Sequence, residues 1–263
     1  MPVLLTIDGG VATVTLNRPE RRNALSSQLI IMLPDLVSEA ARDDGVRVVV
    51  VTGADPAFCA GLDLDELGGT GHNLGLPESP KYPWPWDTAG KPVIGAINGP
   101  SVTGGLELAL HCDIRVASER AVFADTHARV GQVPGAGLTV NLPRLIGQAR
   151  AREMSFTGNF VSAQTALAWG LVNHVVSHHE LLGVADELAR TIAANDAEAI
   201  PAINRMYDAA ESLPHAEALQ WEEQAAREWQ RTHSDPGVVA ERRARVMSRG
   251  RQQVGGINRG GSS

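Results

Sequence analysis

The segment VRVVVVTG, residues 46–53, is the feature that most limits the folds open to this chain. It consists almost entirely of β-branched residues and ends in glycine, which is typical of a strand buried on both faces. KPVIGAING repeats this form further along, and CDIRVAS provides a third apolar run. Because strand, loop and helix patterns alternate between these runs, the sequence predicts an α/β fold.

Before the first of these strands, the chain predicts a β-hairpin and an amphipathic helix. The opening LLTIDGGVATVTLN alternates apolar and polar residues around Asp8-Gly9-Gly10, which indicates a hairpin turn. After NRPERRNALS, Ser26 or Ser27 is suited to cap a helix. The apolar residues that then recur at helical spacing are Leu29, Ile30, Leu33, Leu36 and Val37.

Composition changes twice along the chain. Gly68–Gly90 is rich in Gly, Pro and Trp and predicts a long surface loop, in which Trp84 and Trp86 either line an apolar ligand site or pin the loop down. Beyond about residue 194 the patterns become helical, so we predict a core over 1–194 and a helical region over 195–263. The final RQQVGGINRGGSS has no periodicity and predicts a loose end.

Length and charge exclude several classes of protein. A chain of 263 residues that is 43% hydrophobic can bury one large core. Its net charge of -7 argues against nucleic acid as a main partner. No apolar run approaches the ~20 residues that span a bilayer, and the start lacks the pattern of a secretory signal. With only Cys59 and Cys112 as cysteines, the chain is expected in the reducing cytoplasm.

The decapeptide SVTGGLELAL, residues 101–110, is the first candidate site. Two glycines at the start of a helix leave backbone N–H groups uncovered, so that a ligand can approach them. Glu107 follows Gly104 by three positions and therefore shares its helix face. The pattern predicts a carboxylate beside whatever these amides bind.

Four ordered motifs together resemble a known family. They are NRPERRNAL, AFCAGLDLDEL, NGPSVTGGLELALHCDIRVAS and VGQVPGAGLTVNLPRLIG. The set is similar to the crotonase family, the enoyl-CoA hydratases and isomerases, from about residue 3 to about residue 180. That resemblance implies a spiral of ββα repeats followed by a helical region that builds trimers, often stacked into hexamers.

The resemblance also implies the chemistry, which is stabilisation of a thioester enolate by two backbone N–H groups. Carried onto this sequence, these amides belong to Leu62 and Gly104. The segment Leu62, Asp63, Leu64, Asp65 corresponds to the part that wraps coenzyme A. Arg18, Arg21 and Arg22 are candidates for contacts with its phosphates, and Arg22 is included in the predicted binding set. Because coenzyme A is part of the substrate, no separate cofactor is expected.

One position departs from the pattern of the hydratases, which hold a water molecule with two glutamates. Glu107 matches the first glutamate, but His127 stands at the second. Imidazole with an ordinary pKa of ~6.5 exchanges protons near neutral pH, so a His–Glu pair can still hydrate an enoyl-CoA. Alternatively, His127 is a structural hydrogen-bonding residue and hydration is slow or lost. Asp125, two residues away, is a further candidate for the acid.

The departure leaves other family reactions open. An isomerase needs one base, but the family's isomerases place it at the position of His127 rather than Glu107. Lyases, hydrolases and a catalytically silent acyl-CoA-binding homologue also remain. No G-x-S-x-G elbow or G-x-G-x-x-G fingerprint supports a serine hydrolase or a Rossmann dehydrogenase. The histidines show no metal-ligand spacing. The sequence therefore predicts an enoyl-CoA hydratase with Glu107, His127, Leu62 and Gly104 as its catalytic groups.

Overall fold

The computed structural model describes residues 1–69, 88, 90–233, 237, 243 and 246–251. The predicted loop Gly68–Gly90, with Trp84 and Trp86, lies almost wholly outside the described residues, as does the end of the chain. Contacts within the chain divide it into two units, Met1–Asn204 and Arg205–Ser263.

The strands of the described chain form two sheets. In chain order they are β1 (Val3–Asp8), β2 (Val11–Leu16), β3 (Val48–Gly53), β4 (Val93–Ile97), β5 (Ser101–Val102), β6 (Ile114–Ser118), β7 (Val122–Ala124), β8 (Val161–Ser162) and β9 (His174–Val176). The larger sheet has the order β1-β2-β3-β4-β6-β9, and the smaller has the order β5-β7-β8. In the larger sheet β1 and β2 form the predicted antiparallel hairpin, and every other neighbouring pair is parallel.

Helices connect these strands and continue beyond them. They are α1 (Ser27–Arg42), α2 (Leu64–Gly69), α3 (Gly104–Leu110), α4 (Leu138–Ile146), α5 (Gln148–Thr157), α6 (Ala163–Trp169), α7 (Leu181–Ala193), α8 (Ala199–Ser212) and α9 (His215–His233). The Ser26 hydroxyl accepts a hydrogen bond from the Leu29 N–H at 3.3 Å, which identifies Ser26 as the N-cap of α1.

The valine run of β3 is buried on both faces, as its sequence predicts. All six residues of the strand are buried. Val49 and Val51 belong to the core that contains α1, whereas Val48 and Val50 pack with the buried residues of α7 on the other face of the sheet. Alternate residues of a strand point to opposite faces, so a continuous apolar run satisfies both layers.

Strand order determines where the loops that carry the motifs meet. β3 and β4 are parallel neighbours, so their carboxyl ends lie at the same edge of the sheet. The chain leaves β3 towards Leu62 and leaves β4 towards β5 and Gly104. β5 then pairs in parallel with β7, which brings the residues after β7 beside the start of α3. The Thr103 N–H donates to the Ala124 carbonyl at 2.9 Å across this junction.

The predicted helical C-terminal region is confirmed by α8 and α9. Several large apolar side chains in these helices are exposed in the single chain, including Tyr207 at 71% and Leu219 at 56%. The expectation that this region builds an oligomer stays a prediction. None of the helices in the described residues is long and apolar enough to cross a bilayer.

Candidate functional site

The segments that follow β3 and β4 approach each other closely at Gly61 and Gly104. Gly61 has φ +91°, and a Cβ atom placed on it would lie 1.8 Å from the Thr103 Oγ1 atom. A Cβ atom placed on Gly104 would lie 3.8 Å from the backbone nitrogen of Leu62. The approach requires glycine at position 61, and it places the Gly104 backbone next to the Leu62 amide.

The Leu62 and Gly104 amides are available as donors. Within the described part of the chain, neither of these N–H groups donates to a protein acceptor. Thr103 precedes Gly104 with φ +47°, a backbone conformation that is costly for a β-branched residue. Strain of this kind is retained where the surrounding structure fixes the backbone, and here it fixes the orientation of the start of α3. The pair of amides can bind an oxygen atom that carries negative charge.

Glu107 lies on α3, one turn after Gly104, and is 5% exposed. Its Oε1 atom accepts a hydrogen bond of 2.7 Å from the Ala136 N–H. Burial raises the pKa of Glu107 above its ordinary value, although the Ala136 N–H and the facing His127 act in the opposite direction. A buried carboxyl group with a raised pKa holds its proton more readily than an exposed glutamate does, which suits it to proton exchange.

His127 faces Glu107 from the other side of the site and is also 5% exposed. The distance from its Nε2 atom to the Glu107 Oε2 atom is 3.9 Å. That distance is too long for a direct hydrogen bond, but it allows one water molecule to contact both groups. On the other side of the ring, the Nδ1 atom lies 2.6 Å from the Asp125 Oδ1 atom.

A cavity of about 260 Å³ opens beside these groups. Its lining includes Leu62, Asp63, Leu64, Asp65 and His127, together with Arg21 and Thr103. The predicted wrapping segment and the predicted catalytic histidine therefore border one cavity. Glu107 and Gly104 are not among its lining residues, but they are adjacent to His127 and Leu62 by the distances given above.

The predicted acidic and basic binding residues pair with one another. Asp63 is bound to Arg18 at 2.9 Å, and although burial opposes ionisation, the Arg18 guanidinium holds the pKa of Asp63 below its ordinary value. Arg21 pairs with Asp65, and both side chains are more than half exposed. Arg22 is exposed, has a left-handed backbone and does not line the cavity. Of the three arginines considered, Arg21 is the one that borders the cavity.

Two contacts of the site were not predicted from the sequence. Asp125 contacts the His127 ring, whereas the sequence suggested it only as an alternative acid. The D-x-H spacing is a usable signal, because Asp often accepts from the backbone N–H two residues on, and here the Asp125 Oδ1 atom accepts from the His127 N–H at 3.2 Å. His111 is the second case, since its Nε2 donates to the Ala136 carbonyl at 2.8 Å and so supports the residue that binds Glu107.

A Ser–His–Asp set lies away from the residues that line the cavity. His178 contacts the Ser118 hydroxyl and the Asp55 carboxylate, each at 3.1 Å. Ser118 is fully buried, so its hydroxyl cannot meet a substrate. Across the described ranges of the chain, no group of three or more His, Cys, Asp and Glu residues is arranged to hold a metal ion. Burial raises the pKa values of Cys59 and Cys112 to about 12, so neither is a reactive thiolate.

Comparison with known proteins gives consistent results over most of the chain. The family model described as enoyl-CoA hydratase/isomerase matches residues 6–247. A probable peroxisomal enoyl-CoA hydratase of Arabidopsis thaliana is 38% identical over 219 residues, which are 83% of this chain and 82% of the relative. The crystal structure of an enoyl-CoA hydratase from Mycobacterium smegmatis is 50% identical, with a TM-score of 0.73, 88% of this chain covered and 99% of that chain. A 1,2-epoxyphenylacetyl-CoA isomerase of Escherichia coli is 36% identical over 217 residues, or 80% of this chain and 83% of the relative.

Proposed function

This chain belongs to the enoyl-CoA hydratase/isomerase family, the crotonase family, and on that premise we propose that it is an enoyl-CoA hydratase. It adds water across the 2,3 double bond of an enoyl thioester. The observation that carries the proposal is the pair of buried proton-exchanging groups, Glu107 and His127, 3.9 Å apart beside two backbone amides that have no protein acceptor among the described residues.

The two amides act on the thioester carbonyl. When the oxygen of water adds to C3, the electrons of the double bond move towards the carbonyl oxygen and form an enolate. The Leu62 and Gly104 N–H groups donate hydrogen bonds to this oxygen as its negative charge develops. Loss of one such donor costs ~3 kcal/mol of transition-state stabilisation in enzymes that use the same device.

Glu107 and His127 move the protons. A water molecule that contacts both groups gives one proton to the member of the pair that is unprotonated. The other member delivers a proton to C2, so that one molecule of water is added in total. Proton exchange between the two groups then restores them. The carboxyl group of Glu107, whose pKa is raised by burial, and the imidazole ring of His127 are both groups that can carry a proton in such a reaction.

The coenzyme A part of the substrate lies along Leu62, Asp63, Leu64 and Asp65 in this proposal. All four residues of this segment line the cavity, while Asp63 is held by Arg18. Arg21, at the cavity edge, supplies positive charge for the phosphates, and Arg22 extends the basic surface next to it. The partly buried Arg18–Asp63 pair holds the segment against which the ligand packs.

A different crotonase-family reaction is the second candidate. His127 replaces one of the two hydratase glutamates, and a relative 36% identical is an isomerase. Isomerisation, lyase or hydrolase chemistry would use the same amides with other proton transfers. A silent acyl-CoA-binding protein would keep the amides and lose the turnover.

Assembly and compartment form the third part of the proposal. We propose a homotrimer or a dimer of trimers, supported by the exposed apolar side chains of α8 and α9. The two free, buried cysteines support a cytoplasmic location. Sedimentation of the full chain tests the assembly, and a monomer at micromolar concentration would contradict it.

The activity is tested by following loss of the enoyl absorbance of crotonyl-CoA and of longer enoyl-CoAs. We expect turnover by the wild-type protein and a large loss of kcat in Glu107→Gln, which keeps the size of the side chain but cannot exchange the proton. Binding of saturated butyryl-CoA should persist in this variant, which serves as its folding control. Absence of turnover with every enoyl-CoA, together with tight acyl-CoA binding, would support the silent homologue.

A further inference from the structure

The side chain of Asp125 is hydrogen-bonded to His127. It is 1% exposed, and its Oδ1 atom accepts two hydrogen bonds from the same residue, one from the ring Nδ1 at 2.6 Å and one from the backbone N–H at 3.2 Å. These contacts follow from the short turn after β7, in which a carboxylate reaches the residue two positions later. Asp125 is therefore not available as an independent acid for the substrate.

The 2.6 Å contact determines where the ring carries its proton. An ionised carboxylate only accepts hydrogen bonds, so the Nδ1 atom of His127 must be the protonated nitrogen. In the neutral ring this leaves the lone pair on Nε2, the atom that faces the Glu107 Oε2 atom at 3.9 Å. The nitrogen that faces the second proton-exchanging group is then the one that can take up or release a proton.

The negative charge of Asp125 also favours a proton on the Nδ1 atom of His127. Burial opposes ionisation of Asp125, but the hydrogen bonds from His127 and Ser155 outweigh it and hold the pKa of Asp125 below its ordinary value. A negative charge therefore adjoins the ring. This charge lies on the Nδ1 side of the ring, opposite the Nε2 atom that faces Glu107.

We infer that Asp125 is a positioning residue that fixes the tautomer of His127 and thereby makes its Nε2 atom the second proton-exchanging group of the site. The inference rests on the proposed hydration, because it assigns His127 a part in that reaction. It explains how a histidine can take the place of a glutamate. The ring is oriented by a carboxylate that the two-glutamate arrangement does not require.

The main test compares Asp125→Asn, His127→Gln and the double variant. Asparagine keeps the shape of the side chain, but it removes the charge, and its amide NH2 group can face the ring as a donor, which favours the other tautomer. We expect kcat of Asp125→Asn on crotonyl-CoA to fall at least ~10²-fold with KM little changed, as for the loss of an acid–base group. In the His127→Gln background the same substitution should have no further effect. Multiplying losses would instead show that Asp125 acts independently of His127 and would overturn the inference.

A readout without turnover separates this inference from the proposed function. In protein labelled with 15N-histidine, the His127 signal is the one absent from His127→Gln, and its nitrogen shifts report which ring nitrogen is protonated. We expect protonated Nδ1 in the wild type and a changed ring state in Asp125→Asn. An Nε2-protonated neutral ring in the wild type would overturn the inference even if hydration is observed. Failure of hydration with every enoyl-CoA would instead count against the proposed function, while the ring state would still be measurable.

Asp186→Asn is the matched control. Asp186 lies on α7, where its carboxylate pairs with Arg190 at 2.7 Å on the surface. The substitution removes one paired carboxylate without touching the site. Its kcat should equal that of the wild type, and a comparable loss of kcat in this control would show that the effect of Asp125→Asn is not specific to the His127 contact.

Discussion

Replacement of Gly104 by alanine separates a catalytic requirement for this glycine from a packing requirement. The added methyl group would lie 2.9 Å from the Leu25 Cδ1 atom and 3.8 Å from the Leu62 backbone nitrogen. The first contact is with the end of a flexible side chain, which can move. Overpacking of this kind costs ~1–3 kcal/mol, and the helical preference of alanine over glycine offsets up to ~1 kcal/mol of it. We expect a loss of ~0–3 kcal/mol in the free energy of unfolding.

The effect on activity should be larger than this loss of stability. An oxygen bound to the Leu62 N–H lies ~2.9 Å from its nitrogen, so the methyl group added by Gly104→Ala would compete with that oxygen for the space between the two amides. Weakening one donor lowers kcat by ~10²–10³-fold. Hydration of crotonyl-CoA measures the activity, and urea denaturation measures the stability. A folded Gly104→Ala protein with kcat/KM within about threefold of wild type would refute the placement of the thioester oxygen between these amides.

Two other glycines serve as controls for the substitution itself. A methyl group on Gly105 would lie 2.0 Å from the carbonyl oxygen of Cys59, which is backbone and cannot move aside. Gly105→Ala should therefore lose more stability than Gly104→Ala. Among the described residues, nothing lies within 4 Å of an atom added to Gly68 in α2, so Gly68→Ala should be neutral or stabilising by up to ~1 kcal/mol.

Three further predictions follow from the contacts of the site. Burial raises the pKa of Glu107, so its ionisation lowers the free energy of unfolding as pH rises above the ordinary value of 4.5. Glu107→Gln should therefore unfold at a higher urea concentration than wild type at pH 8, and this difference should shrink towards pH 4.5. Equal urea midpoints for the two proteins at pH 8 would contradict this prediction. Arg21→Ala should raise KM for crotonyl-CoA more than Arg22→Ala does, most clearly at low salt, and the reverse order would move the phosphate contact to Arg22. His111→Phe should lower kcat more than it changes KM because it removes the donor to the Ala136 carbonyl; unchanged kcat would show that Glu107 is held without it.

Those elements of the fold that depend on a short run of adjacent residues could be predicted from the sequence. The hairpin around Asp8-Gly9-Gly10, the Ser26 cap and the buried strand β3 each depend on a few adjacent residues, and all are present. The approach of Gly61 to Gly104 was not derivable from spacing, since it depends on the parallel pairing of β3 with β4. The pairing of the Leu62 and Gly104 amides was instead predicted from the resemblance to the crotonase family.

The supporting contacts of the site were the least predictable part. Glu107 is held by an N–H that lies 29 residues further along the chain, and Arg18 pairs with Asp63 across 45 residues. Contacts between distant loops have no periodicity, so no sequence window contains them. The Asp125–His127 contact is the exception, because both residues lie in one turn and the D-x-H spacing was visible in the sequence.

The proposed cradle for the thioester oxygen consists of main-chain groups, and this has a consequence for how the protein can evolve. Any amino acid except proline carries an N–H, so point mutation at Leu62 changes the side chain while the donor survives. Mutation can replace the side chains of Glu107 and His127, and so change the reaction, while the backbone N–H groups of Leu62 and Gly104 stay in place. If the proposed cradle binds the enolate, new chemistry in this lineage requires few inherited changes.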